Sequence, residues 1–202
     1  MVGVGHIERF NPVIREVKKI VEKPLYVEME RHNPHFGRIT DADAITDLMI
    51  HDIDVLWNYL FAGKKYRILG AGGVRKKLIE LAVVLVDFEG GVVKLSASRL
   101  SAKKTRQLLV EEEEKTLFAD LMTQEIYVHK KTLALEVENI KYSQESIIDK
   151  VVVSKIEPLR EELKTFLDCV KNGKQFPIPV HDGLRALEVA EEIRDKVVAS
   201  GL

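Results

Sequence analysis

Hydrophobic and polar residues follow two different periods in this chain, and the period changes near residue 64. Before that point, apolar residues recur at helical spacing from about Pro12 to Val21 and again through residues 46–60. Asn11 precedes Pro12, the order typical of a helix N-cap followed by proline at the first helical position. Between these two predicted helices, residues 25–31 alternate apolar and polar side chains and predict a strand.

From residue 64 to residue 138 the pattern has a period of two, which predicts a series of strands joined by short turns. Consecutive strands with short connections indicate an antiparallel meander. Leu81 to Val86 is apolar on both faces, which predicts a cover of helices on one side and of a partner subunit on the other. The predicted strands are 66–74, 78–88, 92–100, 105–112, 116–122, 125–129 and 133–138.

Two amphipathic helices are predicted at the end of the chain, from Pro158 to Val170 and from Leu184 to Ala199, the second beginning at Asp182-Gly183. At the other end, Met1 to Ile7 reads like the middle of a buried strand. The whole pattern predicts one domain over residues 1–202. Its fold class is α+β, with helices packed on one face of a large, mostly antiparallel open β-sheet.

Composition narrows the possible functions. The 202 residues include 31 basic and 32 acidic ones, a balance that provides no field to attract nucleic acid or an anionic membrane. No apolar run is long enough to span a bilayer, and residues 1–20 lack a signal-peptide pattern. The single cysteine, Cys169, excludes an internal disulfide framework and favours a cytoplasmic location. Abundant charged residues with few Asn, Gln and Cys favour a thermophilic source.

The residues that point most clearly to chemistry lie in the predicted helix 46–60. Asp47, His51, Asp54 and Asn58 follow i, i+4, i+7, i+11 spacing and share one face of a helix that is otherwise almost wholly apolar. Buried polar groups are costly unless they are paired or face a cleft. With a reference pKa of about 6.5, His51 is suited to act as a base, and Asp47 one turn earlier could fix its tautomer. The pattern of the helix alone is equally compatible with an Asp–His pair that has only a structural role.

Three other motifs carry weaker signals. Gly3-Val4-Gly5 could open a dinucleotide fingerprint, but Glu8 occupies the position of the third glycine and no strand precedes it. Glu22-Lys23-Pro24 is best interpreted as a turn in which the proline ends a helix. His32 and His35 lie in a predicted loop without any established metal-ligand spacing, so no metal site is predicted.

Several segments, in this order, resemble the glucose-fructose oxidoreductase / inositol dehydrogenase / MocA family. Within that family the resemblance is to the branch acting on UDP-N-acetyl-hexosamines, and it covers essentially all 202 residues. The segments are Val4 to Pro12, Gly37-Arg38, Asp47 to Asp54, Phe166 to Gly173 and Asp182 to Glu188.

The resemblance implies a substrate domain built on a large open sheet, which in the family follows an N-terminal Rossmann domain that binds NAD or NADP. The family's catalytic lysine lies in the first domain, and the Asp and His that assist it match Asp47 and His51. We expect four further residues to contact the substrate, with Asp54 as an orienting or helix-packing acid. The residues expected to bind substrate are Arg9, Asn11, Arg38 and Asp54.

The sequence also departs from the family, because the Rossmann half is not seen and Lys23 does not match the catalytic lysine. We therefore expect residues 1–12 to include a junction strand left from a missing Rossmann domain. We expect no cofactor bound to this chain alone, although the intact architecture would use NAD or NADP.

The function implied is the substrate-binding half of an oxidoreductase that acts on a secondary hydroxyl of a sugar or UDP-N-acetyl-hexosamine, inactive alone. Whether the chain is itself an enzyme is left open. The alternative is a non-enzymatic sugar-nucleotide-binding or scaffold module. Both hypotheses predict a homo-oligomer, a dimer or tetramer, formed through the open sheet face. The first also allows a separate Rossmann segment as a partner; neither predicts nucleic-acid or membrane binding.

Overall fold

An eight-stranded open sheet is the centre of the computed structural model, which describes residues 2–34, 41–131, 135–137, 141–143 and 147–201. A separate two-stranded ribbon is formed by β8 and β9. The strands are β1 Tyr26–His32, β2 Tyr66–Arg75, β3 Ile79–Phe88, β4 Gly91–Ser98, β5 Thr105–Glu111, β6 Lys115–Asp120, β7 Glu125–Lys130, β8 Leu135–Val137, β9 Lys141–Ser143 and β10 Ile147–Val151.

The order of strands across the main sheet is β10-β7-β6-β5-β1-β4-β3-β2. β1 lies between β4 and β5, parallel to β4 and antiparallel to β5, and every other neighbouring pair is antiparallel. The predicted class, an α+β fold with a mostly antiparallel open sheet, is confirmed. The predicted uninterrupted meander is wrong at one place, because β1 separates β4 from β5.

Four helices and one 3-10 turn accompany the sheet in the described ranges. Helix α2 is continuous but irregular: its middle turn is α-helical and both ends are π-helical, with wider turns. None of these helices is long and apolar enough to cross a bilayer. The elements are the 3-10 turn Ile7–Phe10, α1 Pro12–Ile20, α2 (Ile45–Met49, Ile50–Asp54 and Val55–Leu60), α3 Pro158–Asn172 and α4 Val180–Ala199.

The main core lies between one face of the sheet and the helices α1, α2 and α4, as the sequence predicts. Alternate residues of the central strands, such as Met29 and Leu95, are fully buried in this core. Trp57 of α2 packs edge-to-face on Phe88 with ring centroids 4.7 Å apart. This layer places α2 between the sheet and α4, so its charged residues are buried unless they lie at its rim.

Helix α3 lies outside this core and packs mainly against the 3-10 turn. Its inward residues join Phe10 and Phe176 in a second, small hydrophobic cluster. The opposite stripe is exposed, with Leu163 55% accessible. The sequence predicts a buried apolar face for α3, but most of that face is uncovered and only Phe166 joins the cluster. The exposed stripe, called the α3 stripe below, is Leu159, Leu163, Leu167 and Val170.

The predicted strand at the start of the chain does not form. Residues 2–6 form no regular secondary structure, and the 3-10 turn follows directly. Gly3 packs so closely on the Phe176 ring that an added Cβ would lie 2.5 Å from it. Val4 of this segment packs on the small α3 cluster and not on the sheet, whereas Val2 is exposed. Edge strand β10 was not predicted, because its first four residues are exposed on both faces and show no alternation.

Candidate active site

The beginning of α2 is fixed by side chains before any site is formed. The Asp43 carboxylate accepts hydrogen bonds from the backbone amides of Ile45 and Thr46, at 3.0 and 2.9 Å. Its other oxygen accepts from Arg194 of α4 at 2.8 Å. These bonds satisfy free amides at the start of the helix and anchor it to α4.

A buried ionic cluster lies where α2 meets β1. Arg31 of β1 donates to both carboxylate oxygens of Asp52, with the shortest contact 2.6 Å, and to Glu8 Oε1 at 2.8 Å. All three side chains are about 3% exposed. Burial alone would raise the pKa of Glu8, but the Arg31 guanidinium and its neighbour Arg106 hold that pKa below its ordinary value. Glu8 is therefore charged at neutral pH. Burial raises the pKa of Asp52 against the opposing charge of Arg31, and both carboxylates are hydrogen-bonded to that guanidinium.

A second cluster ties the 3-10 turn to α2 and α4. The Arg9 guanidinium makes two hydrogen bonds to Asp54, at 2.8 and 2.9 Å, and a third to Asp182 at 2.7 Å. Asn58 donates to the Asp54 carboxylate at 3.0 Å and to the backbone carbonyl of Asp182 at 2.9 Å. Asp54 is fully buried. The Arg9 guanidinium pairs with its carboxylate, and the Asn58 amide adds a hydrogen bond.

Two imidazoles lie beside these clusters with ring nitrogens that remain free. His51 Nδ1 and His6 Nε2 are buried and have no hydrogen-bond partner among the described residues. The nearest contact of His6 Nε2 is Asp54 Oδ1 at 3.8 Å, too long for a hydrogen bond. Burial, reinforced by the Arg31 charge, lowers the pKa of His51 to about 4. Burial also lowers the pKa of His6, against the opposing charge of Asp54. Both rings are therefore neutral at pH 7.

Asp47 is held by an arginine that the sequence analysis did not single out. Arg99, directly after β4, donates to Asp47 Oδ2 at 2.7 Å and to the carbonyl of Ala42 at 2.7 Å. Arg99 is almost completely buried, whereas the Asp47 side chain is 22% exposed. One edge of the Asp47 carboxylate is fixed and another reaches solvent.

The predicted polar face of α2 is realised only in part. Asp54 and Asn58 are hydrogen-bonded as neighbours on one face, but no hydrogen bond joins Asp47 to His51, because Asp47 turns towards Arg99. The premise that His51 changes charge near neutral pH is also wrong, since burial lowers its pKa to about 4. Their catalytic roles stay a prediction.

The residues predicted to bind substrate have different surroundings. Arg9 and Asp54 are brought together and satisfy each other. Asn11 caps α1, accepting from the amide of Val13 at 3.1 Å, and its amide group donates to Glu8 and to the carbonyl of Leu121. Arg38 lies outside the described residues. Substrate contacts by these four residues remain predictions.

Arg106 of β5 is a candidate that sequence reasoning missed. Its guanidinium donates a hydrogen bond to Glu8 Oε1 at 3.3 Å, and its side chain is 32% exposed. Burial and the neighbouring charge of Arg31 lower its pKa, yet a guanidinium keeps its proton at neutral pH. In sequence it is one of many charged residues on alternating strands, so only the pairing of β5 with β1 identifies it.

The glycine motif at the start of the chain does not form a phosphate-binding loop. Gly3 and Gly5 pack against Phe176 and Glu162 and do not begin a helix, so they form no phosphate-binding loop. No group of three or more metal-ligating side chains occurs in the described ranges. We therefore derive no hydride-transfer step from these residues.

Comparison with known proteins gives a related sequence, although no family model matches the chain. Over 203 residues it is 26% identical to the UDP-N-acetylglucosamine 3-dehydrogenase of Acidithiobacillus ferrooxidans. The match takes in 98% of this chain and 63% of that enzyme, in its C-terminal part. The chain thus spans less than two thirds of the curated relative.

Solved structures share the fold. A structure of the same Acidithiobacillus ferrooxidans enzyme superposes with a TM-score of 0.80 at 25% identity, over 96% of this chain and 61% of the other. The NAD binding oxidoreductase of Klebsiella pneumoniae gives 0.76 at 13% identity, over 98% and 64%. The aldose-aldose oxidoreductase of Caulobacter crescentus gives 0.75 at 12% identity, over 98% and 62%.

Proposed function

Because this chain is a homologue of oxidoreductases of the glucose-fructose oxidoreductase / inositol dehydrogenase / MocA family, we propose that it is the sugar-binding domain of such an enzyme. The substrate we propose is a UDP-N-acetyl-hexosamine, because the relative at 26% identity is named for its action on UDP-N-acetylglucosamine. The reaction proposed for the complete enzyme is oxidation of a secondary hydroxyl with NAD or NADP as acceptor.

The observation that carries this proposal is the neutral His51 beside a rigid network of paired charges. A neutral imidazole can accept a hydrogen bond from a sugar hydroxyl, whereas an imidazolium cannot. The buried Arg31–Asp52–Glu8 cluster beneath it keeps the surrounding elements in place. Such a support is what a binding site needs in order to hold a polar ligand in one orientation.

The partly exposed charges near His51 fit a nucleotide sugar. Arg106 has donors that the protein does not use fully, and a guanidinium matches the geometry of a diphosphate. The exposed edge of Asp47 is a hydrogen-bond acceptor for sugar hydroxyls, held in place by Arg99. We propose that Arg106 binds the diphosphate while Asp47 and His51 bind the sugar and handle its proton.

Calorimetry with UDP-N-acetylglucosamine tests the proposal on the 202-residue chain itself. We expect saturable binding that weakens at least 10-fold in His51→Ala and Arg106→Met. The matched control is Arg67→Met, an exposed arginine on β2. Equal affinity in all four proteins would contradict the assigned site. We expect no reduction of NAD or NADP by the chain alone, so measurable turnover would contradict the role of a substrate-binding half.

The second candidate function is a non-enzymatic sugar-nucleotide-binding or scaffold module. It is favoured by the partly exposed apolar residues on the open sheet face, through which copies of the chain could assemble. The two candidates differ when a nucleotide-binding Rossmann segment is added. The oxidoreductase hypothesis predicts that the wild-type chain then catalyses the reaction and that His51→Ala lowers kcat far more than it changes KM. The non-enzymatic hypothesis predicts ligand binding and no reaction.

Two apolar surfaces support proposals about partners. Helix α3 packs on the 3-10 turn, and its outward side, the α3 stripe, is exposed. We propose that a Rossmann segment packs on this stripe, because its four apolar side chains are uncovered in the single chain. The sheet face opposite the helices carries partly exposed apolar residues, including Leu85 and Phe118, and we propose it as the homo-oligomer interface.

A further inference from the structure

A cavity of about 430 Å³ lies at the end of α2 that is far from His51. Its walls come from the end of α1, the start of β1 and the turn between β3 and β4. The floor is apolar and belongs to the main core, with Val27, Phe61 and Val110 almost fully buried. Its volume falls in the range of small-molecule pockets, about 300–1,000 Å³.

The rim carries an excess of positive charge. Three lysines line the cavity, and the ammonium groups of Lys23 and Lys64 have no ion-pair or hydrogen-bond partner in the described part of the chain. Lys18 donates to the carbonyls of Tyr59 and Leu60 at the end of α2, at 2.8 and 3.3 Å.

Two carboxylates also line the cavity, and in the described part of the chain neither forms an ion pair with these lysines. The Glu22 side chain is 79% exposed and lies 4.0 Å from Lys115, outside the group of rim lysines. Glu89 belongs to the exposed turn between β3 and β4. The rim thus combines three ammonium groups with two carboxylates, of which one is directed elsewhere.

The walls are held close by backbone packing. At Gly91 an added Cβ would lie 2.4 Å from the carbonyl oxygen of Pro24, so the turn fits against β1 only with glycine there. Gly90 has φ +108°, a conformation that other residues rarely adopt. The Glu22-Lys23-Pro24 triplet, which the candidate active site does not use, is thereby fixed as one side of the cavity.

We propose that this cavity is a second binding site, for a small anion with an apolar body, such as a sulfonate or carboxylate on an aromatic or aliphatic group. The apolar body would displace water from the floor of Val27, Phe61 and Val110. The anion would meet Lys23 and Lys64, whose ammonium groups form no ion pair among the described residues. The site is distinct from the His51 face and does not depend on the proposed oxidoreductase function.

The test uses 8-anilinonaphthalene-1-sulfonate as the probe and N-phenyl-1-naphthylamine as its neutral counterpart. Fluorescence titration of the 202-residue chain should give one saturable site for the sulfonate. The double variant Lys23→Glu with Lys64→Glu should weaken sulfonate binding at least 10-fold and leave binding of the neutral amine nearly unchanged.

Two further variants separate this site from other surfaces. Lys76→Glu with Lys77→Glu makes the same charge change at the exposed turn before β3 and should not alter the titration. Leu163→Glu disrupts the α3 stripe and should also leave it unchanged. Undiminished sulfonate binding in the Lys23/Lys64 variant, or equal loss in either control, would overturn the proposal. Circular dichroism identifies any variant that fails to fold, and the single change Lys64→Gln, with a smaller loss expected, then replaces it.

Discussion

At the scale of single residues, His51 is the position whose properties the structure alters most. No hydrogen bond joins it to Asp47, which pairs with Arg99, and burial together with the Arg31 charge lowers its pKa to about 4. A neutral ring at pH 7 is a hydrogen-bonding partner for a sugar hydroxyl but only a weak base. His51 would thus accept a proton readily only if the charges of a bound substrate raised its pKa. Otherwise a stronger base elsewhere would have to accept that proton.

The first prediction concerns the titration of His51. NMR of labelled imidazoles should show His51 neutral from pH 8 down to about pH 5, with its pKa near 4. Since the unfolded chain takes up this proton near pH 6.5 and the folded chain does not, the free energy of unfolding should fall as pH drops from about 6.5 to 4. The loss should be on the order of 3 kcal/mol.

The control for this titration is a substitution at an exposed histidine. His51→Gln should remove the part of the pH dependence that arises between pH 6.5 and 4, whereas His129→Gln on the exposed end of β7 should not. A measured His51 pKa of 6 or above would show that the ring is not desolvated as the structure indicates.

The second prediction compares a buried ion pair with an exposed one. Asp52→Asn leaves the Arg31 guanidinium buried with an incomplete set of partners, so the free energy of unfolding should fall by about 3–5 kcal/mol. Asp87→Asn at the exposed Arg67–Asp87 pair should cost about 0–1 kcal/mol. Urea unfolding of both variants gives the comparison, and similar losses would mean that the buried cluster is not a structural anchor.

At the scale of elements, the helix starts are secured in different environments. Asn11 caps α1 from a nearly buried position and also holds Glu8 and the carbonyl of Leu121. Glu157 caps α3 from the surface, accepting from two backbone amides at 3.2 and 2.6 Å. The N-cap residue of α1 therefore makes more tertiary contacts than the N-cap residue of α3.

The third prediction follows from that difference. Asn11→Ala should reduce the free energy of unfolding by about 2 kcal/mol, because a cap is lost and two buried polar groups lose a partner. Glu157→Ala should reduce it by about 0.5 kcal/mol, because water replaces the cap at an exposed helix end. Thermal and urea unfolding measure both values; a larger loss for Glu157→Ala would contradict the assigned contacts.

At the scale of the whole molecule, two apolar surfaces remain uncovered in a single chain. The open sheet face includes Leu85, Val92 and Phe118, and the α3 stripe lies on a helix outside the main core. Apolar patches of this kind often mark interfaces. Sedimentation of variants with a substitution in each surface shows which of the two mediates self-association.

The fourth prediction assigns self-association to the sheet face. Sedimentation at micromolar concentration should find a dimer or tetramer of the chain, and Phe118→Lys should shift it to monomer. Leu163→Lys on the α3 stripe, a matched change from apolar to basic, should leave the oligomer intact. A monomeric wild-type chain, or dissociation by the α3 variant alone, would exclude the sheet face as the interface.

Much of the architecture is predictable because it depends on local periodicity. The alternating residues of β1 and β7 and the helical repeats of α1 and α4 determine those elements and the face they bury. Periodicity did not predict β10, which is exposed on both faces, nor the uncovered α3 stripe. In each of these cases the outcome depends on what lies next to the element and not on its own pattern.

The amino-acid sequence by itself determined that an Asp–His helix exists and that its carboxylates and imidazole must be buried or paired, because the period of 3.6 places them among apolar residues. The tertiary structure alone decided their partners: β1, inserted between β4 and β5, brings Arg31 to Asp52, and the end of β4 brings Arg99 to Asp47. Ion pairing between residues 21 or 52 positions apart depends on strand order, which local patterns do not encode.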